Sequence, residues 1–129
     1  MDYLGHFLLV GVIFAVIDSV WIGIVANKFY KSKMGSLLKD KPNFLTAVIF
    51  YIIYIAGVVV LALEPALRAD ELSTAIGYGA MFGLAAYATY DLTNASTLKN
   101  WPKAITVVDL IWGTTVTTAS TVVAFLILS

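Results

Sequence analysis

Three aspartates offer this chain its clearest chemistry: Asp18, Asp91 and Asp109 each lie within or at the end of a long apolar run. An ionised carboxylate in a membrane span is costly enough to need a partner, a proton or a wet cavity. Asp18-Ser-Val-Trp21 and Asp109-Leu-Ile-Trp112 repeat the pattern Asp-x-x-Trp, which sets acid and indole on one helix face. Gly11 and Ala15 precede Asp18 and Gly113 follows Asp109, small residues suited to a face turned toward other helices. An indole there can donate its N–H to the acid or anchor near the interface. Tyr87, Asp91 and Asn94 fall at i, i+4 and i+7, with Tyr90 aligned on Asn94, so that phenol, carboxylate and amide share a face. Asp, Thr and Asn also terminate helices, and in that competing reading Lys99 or Lys103 neutralises Asp91.

Helical rise sets the depths of these acids. Asp18 falls about 12 Å from the end of the first span, Asp91 at the end of the third and Asp109 about 8 Å into the fourth. Because neighbouring spans alternate in direction, all three occupy the same half of the bilayer. The prediction is one polar ligand-binding site of Asp18, Asp91 and Asp109, lined also by Trp21, Tyr87, Asn94 and Trp112.

The elements that must position them follow from composition. Of 129 residues, 60% are hydrophobic and 12% charged, against about 45–50% and about 25% in ordinary globular domains. The solvent is a bilayer, and the expected fold is all-α: a polytopic transmembrane four-helix bundle forming one domain. Spans are predicted at about 3–26, 44–63, 72–92 and 104–128, each long enough for a hydrocarbon core of about 30 Å. The first carries no basic flank or cleavage site and is expected to be retained. A lysine-rich segment from Asn27 to Asn43, a loop with room for a short interfacial helix, holds Lys28, Lys31, Lys33, Lys39 and Lys41, with Pro42 before the second span. That span is expected to stop at Glu64-Pro65, leaving Glu64 to Glu71 as a solvated acidic loop. Gly77, Gly79 and Gly83 are assigned to helix packing, and the hydroxyls of Thr106, Thr114, Thr115, Thr117, Thr118, Ser120 and Thr121 to bonds with their own helix carbonyls. Loops one and three hold every lysine and the opposite side only Arg68, so the positive-inside rule puts both termini outside the cytoplasm.

Cysteine is absent and His6 is the only histidine, which removes disulfides, thiolate centres and bis-histidine haem from one copy of the chain. No metal site is assigned, and the sequence does not identify a cofactor. The balanced charge argues against nucleic acid. Membrane lipids and a cation or other small molecule remain as partners.

The run Tyr90-Asp91-Leu-Thr-Asn94, with Leu98-Lys99-x-Trp101-Pro102, Asp109-x-x-Trp112-Gly113 and Asp18-x-x-Trp21, resembles the bacterial membrane proteins grouped as domain of unknown function 2177. The resemblance covers essentially the whole chain and implies a small four-span inner-membrane protein; it brings no activity to transfer.

Three functions compete. A small transporter or ligand-binding membrane protein would use the aspartates to hold a cation, a proton or a cationic solute; one four-span chain is small for alternating access, which favours a homo-oligomer. An accessory subunit would use acids and glycines for helix association. A membrane-embedded enzyme acting on a lipid or isoprenoid would use Asp91 or Asp109 as acid or base, with a divalent cation on the acids and Asn94, but no known catalytic spacing supports it.

Overall fold

A computed structural model describes residues 2–35 and 43–129. Within them the chain forms four helices: α1 (Tyr3–Met34), α2 (Phe44–Ala69), α3 (Leu72–Thr97) and α4 (Lys103–Leu128). The all-α bundle is as the composition demands. Three of the helices, α1, α2 and α4, are long and apolar enough to cross a membrane; α3 matches α2 and α4 in length with 26 residues but carries three glycines and a polar C-terminal half. Leu4, Ile24, Phe44 and Leu45 are each at least 70% exposed, an apolar exterior that only lipid satisfies.

Each helix starts where its chemistry directs. The Asp2 carboxylate accepts the Gly5 N–H at 2.8 Å to cap α1, and the Asn43 amide oxygen accepts the Thr46 N–H at 3.2 Å to cap α2. Pro102, in extended conformation, leads into α4. Two turns need left-handed backbone, at Asp70 (φ 53°) after α2 and at Asn100 (φ 62°) after α3, residue types that tolerate it.

Three expected boundaries are corrected. The helix of the first span does not end at Ala26: α1 runs on for 32 residues in all, about 48 Å, so the helix allowed for in the lysine-rich segment is continuous with it and carries Lys28, Lys31 and Lys33. The expectations for Lys39, Lys41 and Pro42 lie outside the described residues. The second span does not stop at Glu64-Pro65. A π-turn over Val59–Leu63 precedes it, with the Glu64 N–H on the Val59 carbonyl, and this widened turn takes in a proline that has no N–H to give. Finally, α3 continues past Leu92 to Thr97, because the hydroxyls of Thr93 and Thr97 bond back to Thr89 and Thr93 instead of breaking the helix.

The core lies where α1, α2 and α4 meet, around Val10, Phe14, Tyr54, Val58, Leu63 and Val116. Against it α3 and α4 form the tightest seam in the molecule. A Cβ on Gly79 would come within 3.2 Å of the Thr118 Cα, and one on Gly83 would strike the Gly113 carbonyl and Thr117. The GxxxG face thus serves packing, as expected, whereas Gly77 faces open space. Four of the α4 hydroxyls behave as expected: Thr114, Thr115, Thr118 and Thr121 donate to carbonyls four residues back at 2.6–2.7 Å. Thr106 instead accepts the Trp101 indole N–H, Thr117 bonds the Tyr54 hydroxyl, and Ser120 has no partner among the described residues.

Candidate functional site

The two Asp-x-x-Trp segments meet. Where α1 crosses α4, the Trp21 and Trp112 rings stack with centroids 4.3 Å apart and planes 8° from parallel. The Trp112 Nε1–H donates to Asp18 Oδ1 at 3.3 Å, so the acid of one segment is held by the indole of the other. The exchange is not reciprocal: Asp109 accepts from the Tyr30 hydroxyl, not from Trp21.

Tyr30 reaches Asp109 because α1 is not uniformly α-helical. A π-turn spans Ile22–Ala26, with the Asn27 N–H on the Ile22 carbonyl. Twelve residues at about 100° each would turn Tyr30 some 120° away from Asp18. One residue absorbed in the wider turn leaves about 20°, so Tyr30 projects from the same side as Asp18.

Two cavities flank α2. One, of about 400 Å³, lies between α1 and α2 and is lined by Gly11, Ala15, Asp18, Ser19 and Tyr51 among apolar side chains. The other, of about 590 Å³, lies between α2 and α3 and ends on Asp109, with Phe50 and Tyr51 from α2 and Tyr87 and Tyr90 from α3. Asn43 and Thr46 at the start of α2 also line it. Tyr51 belongs to both cavities.

Tyr87 is held by shape: a Cβ on Gly113 would overlap its ring, so only glycine lets α4 pass beneath it. Tyr54 stands between the cavities and the core, its hydroxyl bonded to Thr117 and its ring 6.3 Å from that of Tyr87 at 82°. Both Tyr51 and Tyr54 pack on Phe14.

The predicted site residues are thus placed as follows. Trp112 touches both Asp18 and Trp21, and Asp109 lies one turn away from it on α4. Tyr87 and Asp109 share the larger cavity. Asp91 is fully buried, and neither of its oxygens has a hydrogen-bond partner among the described residues, so the expected neutralisation by Lys99 or Lys103 is absent there. Asn94 lies beside Tyr90. Among the described residues no three acidic or histidine side chains come close enough to hold a metal ion.

Several residues were not anticipated. Tyr30 falls in the lysine-rich segment between spans, and Phe50, Tyr51 and Tyr54 fall in an apolar span. Phenols spaced three apart inside such a span are a usable signal, since a buried Tyr hydroxyl seeks a partner. The clearest correction concerns Glu64, expected in a solvated loop: it is 1% exposed and pairs with His6 Nδ1 across α1 and α2. Continuation of α2 past Pro65 carries it into the bundle.

A family profile described as "Predicted membrane protein (DUF2177)" matches residues 3–126. The chain belongs to that family. Neither the curated proteins nor the solved structures yield a match.

Proposed function

We propose that this DUF2177 protein is a membrane-embedded ligand-binding protein, of small-transporter type, whose intramembrane aspartates hold a cationic ligand. The observation that carries this reading is the cavity of about 590 Å³ that ends on Asp109. Its volume falls in the range of about 300–1,000 Å³ common to small-molecule sites, and a few convergent polar groups in an apolar lining are what such sites use. The space is a cleft rather than a closed void, with Phe50, Tyr51 and Tyr90 on its walls 48%, 38% and 57% exposed, so a ligand can enter it from outside the bundle. The sign of the ligand follows from the lining: a carboxylate, phenols and an amide, with no basic side chain among the described residues.

The smaller cavity extends the reading. His6 on α1 pairs with Glu64 on α2, and twelve residues on, Asp18 lines this cavity with Tyr51, thirteen residues before Glu64. Both intervals are about 18–20 Å, so Asp18 and Tyr51 share a level in an antiparallel pair. A side chain shared by two cavities, each with its own aspartate, suits a ligand handed from one side of α2 to the other. The proposal includes an inner-membrane location with both termini outside. It is supported by Lys28, Lys31, Lys33, Lys99 and Lys103 clustering at the helix ends that lead to cytoplasmic loops. It includes membrane lipids as surroundings and a homo-oligomer as the unit of transport.

Purified protein in proteoliposomes tests it, with accumulation of protons, monovalent metal ions and organic ammonium ions followed in turn. Accumulation of one of these by the native chain, lost in Asp18→Asn or Asp109→Asn, supports the reading. Absence of binding and movement for all three classes overturns it.

A further inference from the structure

We infer that the cavity between α2 and α3 is an aromatic cage for an alkylammonium group, with Asp109 as its counter-charge; this rests on the ligand-binding reading and names the ligand class. Four aromatic rings line the space, Phe50 and Tyr51 from one wall and Tyr87 and Tyr90 from the other. A ring face carries partial negative charge, and rings on opposing walls attract a cation placed between them. Asp109, 8% exposed, supplies a full charge at the end of the same space.

Tyr87 is fixed by packing, while Phe50 and Tyr90, about half exposed, rest on aromatic neighbours. Phe50 packs edge-on to Tyr51 at 5.3 Å, Tyr90 edge-on to Trp101 at 5.9 Å, and Tyr87 sits over Gly113. The preset Tyr87 ring loses little side-chain entropy on binding. The Tyr30 hydroxyl fixes Asp109 from the side of α1.

Other ligand classes fit less well. Anions face a carboxylate and phenol oxygens with no basic group among the described lining residues. A small hard metal ion asks for about six oxygen ligands or more, and one carboxylate with scattered phenol and amide oxygens in a space of about 590 Å³ does not gather them. An alkylammonium ion needs one counter-charge and an aromatic surround, with its methyl groups resting against carbon. Two sources carry that group in a membrane, a free organic amine and the choline headgroup of a lipid, and the cavity chemistry is the same for both.

Equilibrium dialysis of the full chain in a maltoside detergent tests the cage, with choline as probe and 3,3-dimethylbutan-1-ol, its uncharged carbon isostere, as comparison. Choline should bind saturably and the isostere at least about tenfold more weakly. Asp109→Asn should weaken choline by about tenfold or more, as for loss of a hydrogen-bonded charge. Tyr90→Leu should weaken it about two- to tenfold, while Tyr90→Phe, which keeps the ring, should hold within about twofold. Thermal unfolding of each variant, run alongside, identifies a variant that fails to fold, and the Tyr90 pair then decides. In nanodiscs of phosphatidylcholine against phosphatidylglycerol, loss of choline binding only in the former assigns the site to the lipid headgroup; equal binding assigns it to a free amine. Equal affinity for choline and its isostere overturns the cage. So does binding of potassium that is lost in Asp109→Asn without any choline binding, a result that leaves the carboxylate ligand site standing.

Discussion

The α1–α2 pair holds ionisable groups at one end and at mid-length, and the two levels treat them in opposite ways. At one end His6 and Glu64 bond directly, with the glutamate 1% exposed and the histidine 15%. At mid-length, Asp18 borders a cavity and accepts from the Trp112 indole N–H at 3.3 Å and from the Tyr51 hydroxyl, while Asp109 of α4 borders a larger cavity and accepts from a phenol. A charge closed into a pair with side chains packed around it is a means of registering two helices; a charge left beside open volume is a means of receiving something. The same residue chemistry therefore serves assembly or binding according to what fills the space around it.

The comparison can be broken by stability measurements in detergent, because the pair should carry stability and the cavity acids should not. His6→Ala leaves Glu64 buried without its hydrogen-bond partner and should cost about 1–3 kcal/mol, whereas replacing both residues by leucine should return most of that loss. Denaturation of the single and double variants in graded SDS reads the difference; equal losses would mean that Glu64 tolerates isolation and that the end is not closed. Gly83→Ala comes next. Its new methyl meets the Gly113 carbonyl and Thr117, so about 1–3 kcal/mol should be lost on the same scale. Tyr54→Phe removes the hydroxyl on buried Thr117 for about 1 kcal/mol. Smallest is Asp109→Asn, which keeps its shape and an acceptor for Tyr30 and should change stability by less than about 1 kcal/mol while ligand binding is lost. A large loss of stability there would reassign Asp109 to assembly.

Much of this arrangement was legible in the sequence. Composition dictates the all-α membrane bundle, the Gly79-to-Gly83 spacing marks the close α3–α4 seam, and the repeated Asp-x-x-Trp pattern points to residues that do meet across α1 and α4. What escaped depends on local geometry that periodicity does not encode. The π-turn over Ile22–Ala26 rephases α1 and brings Tyr30 to Asp109, and a fixed 3.6-residue period places Tyr30 elsewhere. A second π-turn lets α2 run through Pro65, so Glu64 becomes an interior group where the usual meaning of Glu-Pro is an ending. Asp91 was located in depth but not in environment: that it stands without a partner among the described residues depends on how α3 rotates against α4.

The most direct test uses the absence of cysteine in the chain, which makes single-cysteine labelling clean. Ala86 lines the cavity that ends on Asp109, whereas Ala62 is 0% exposed on the other half of α2. Ala86→Cys and Ala62→Cys would each be exposed to a trimethylammonium methanethiosulfonate, a reagent that carries the proposed ligand group. The account predicts rapid modification at position 86, slowed about tenfold when Asp109→Asn is added, and none at position 62. Equal rates at the two positions, or a rate at 86 indifferent to Asp109, would contradict it.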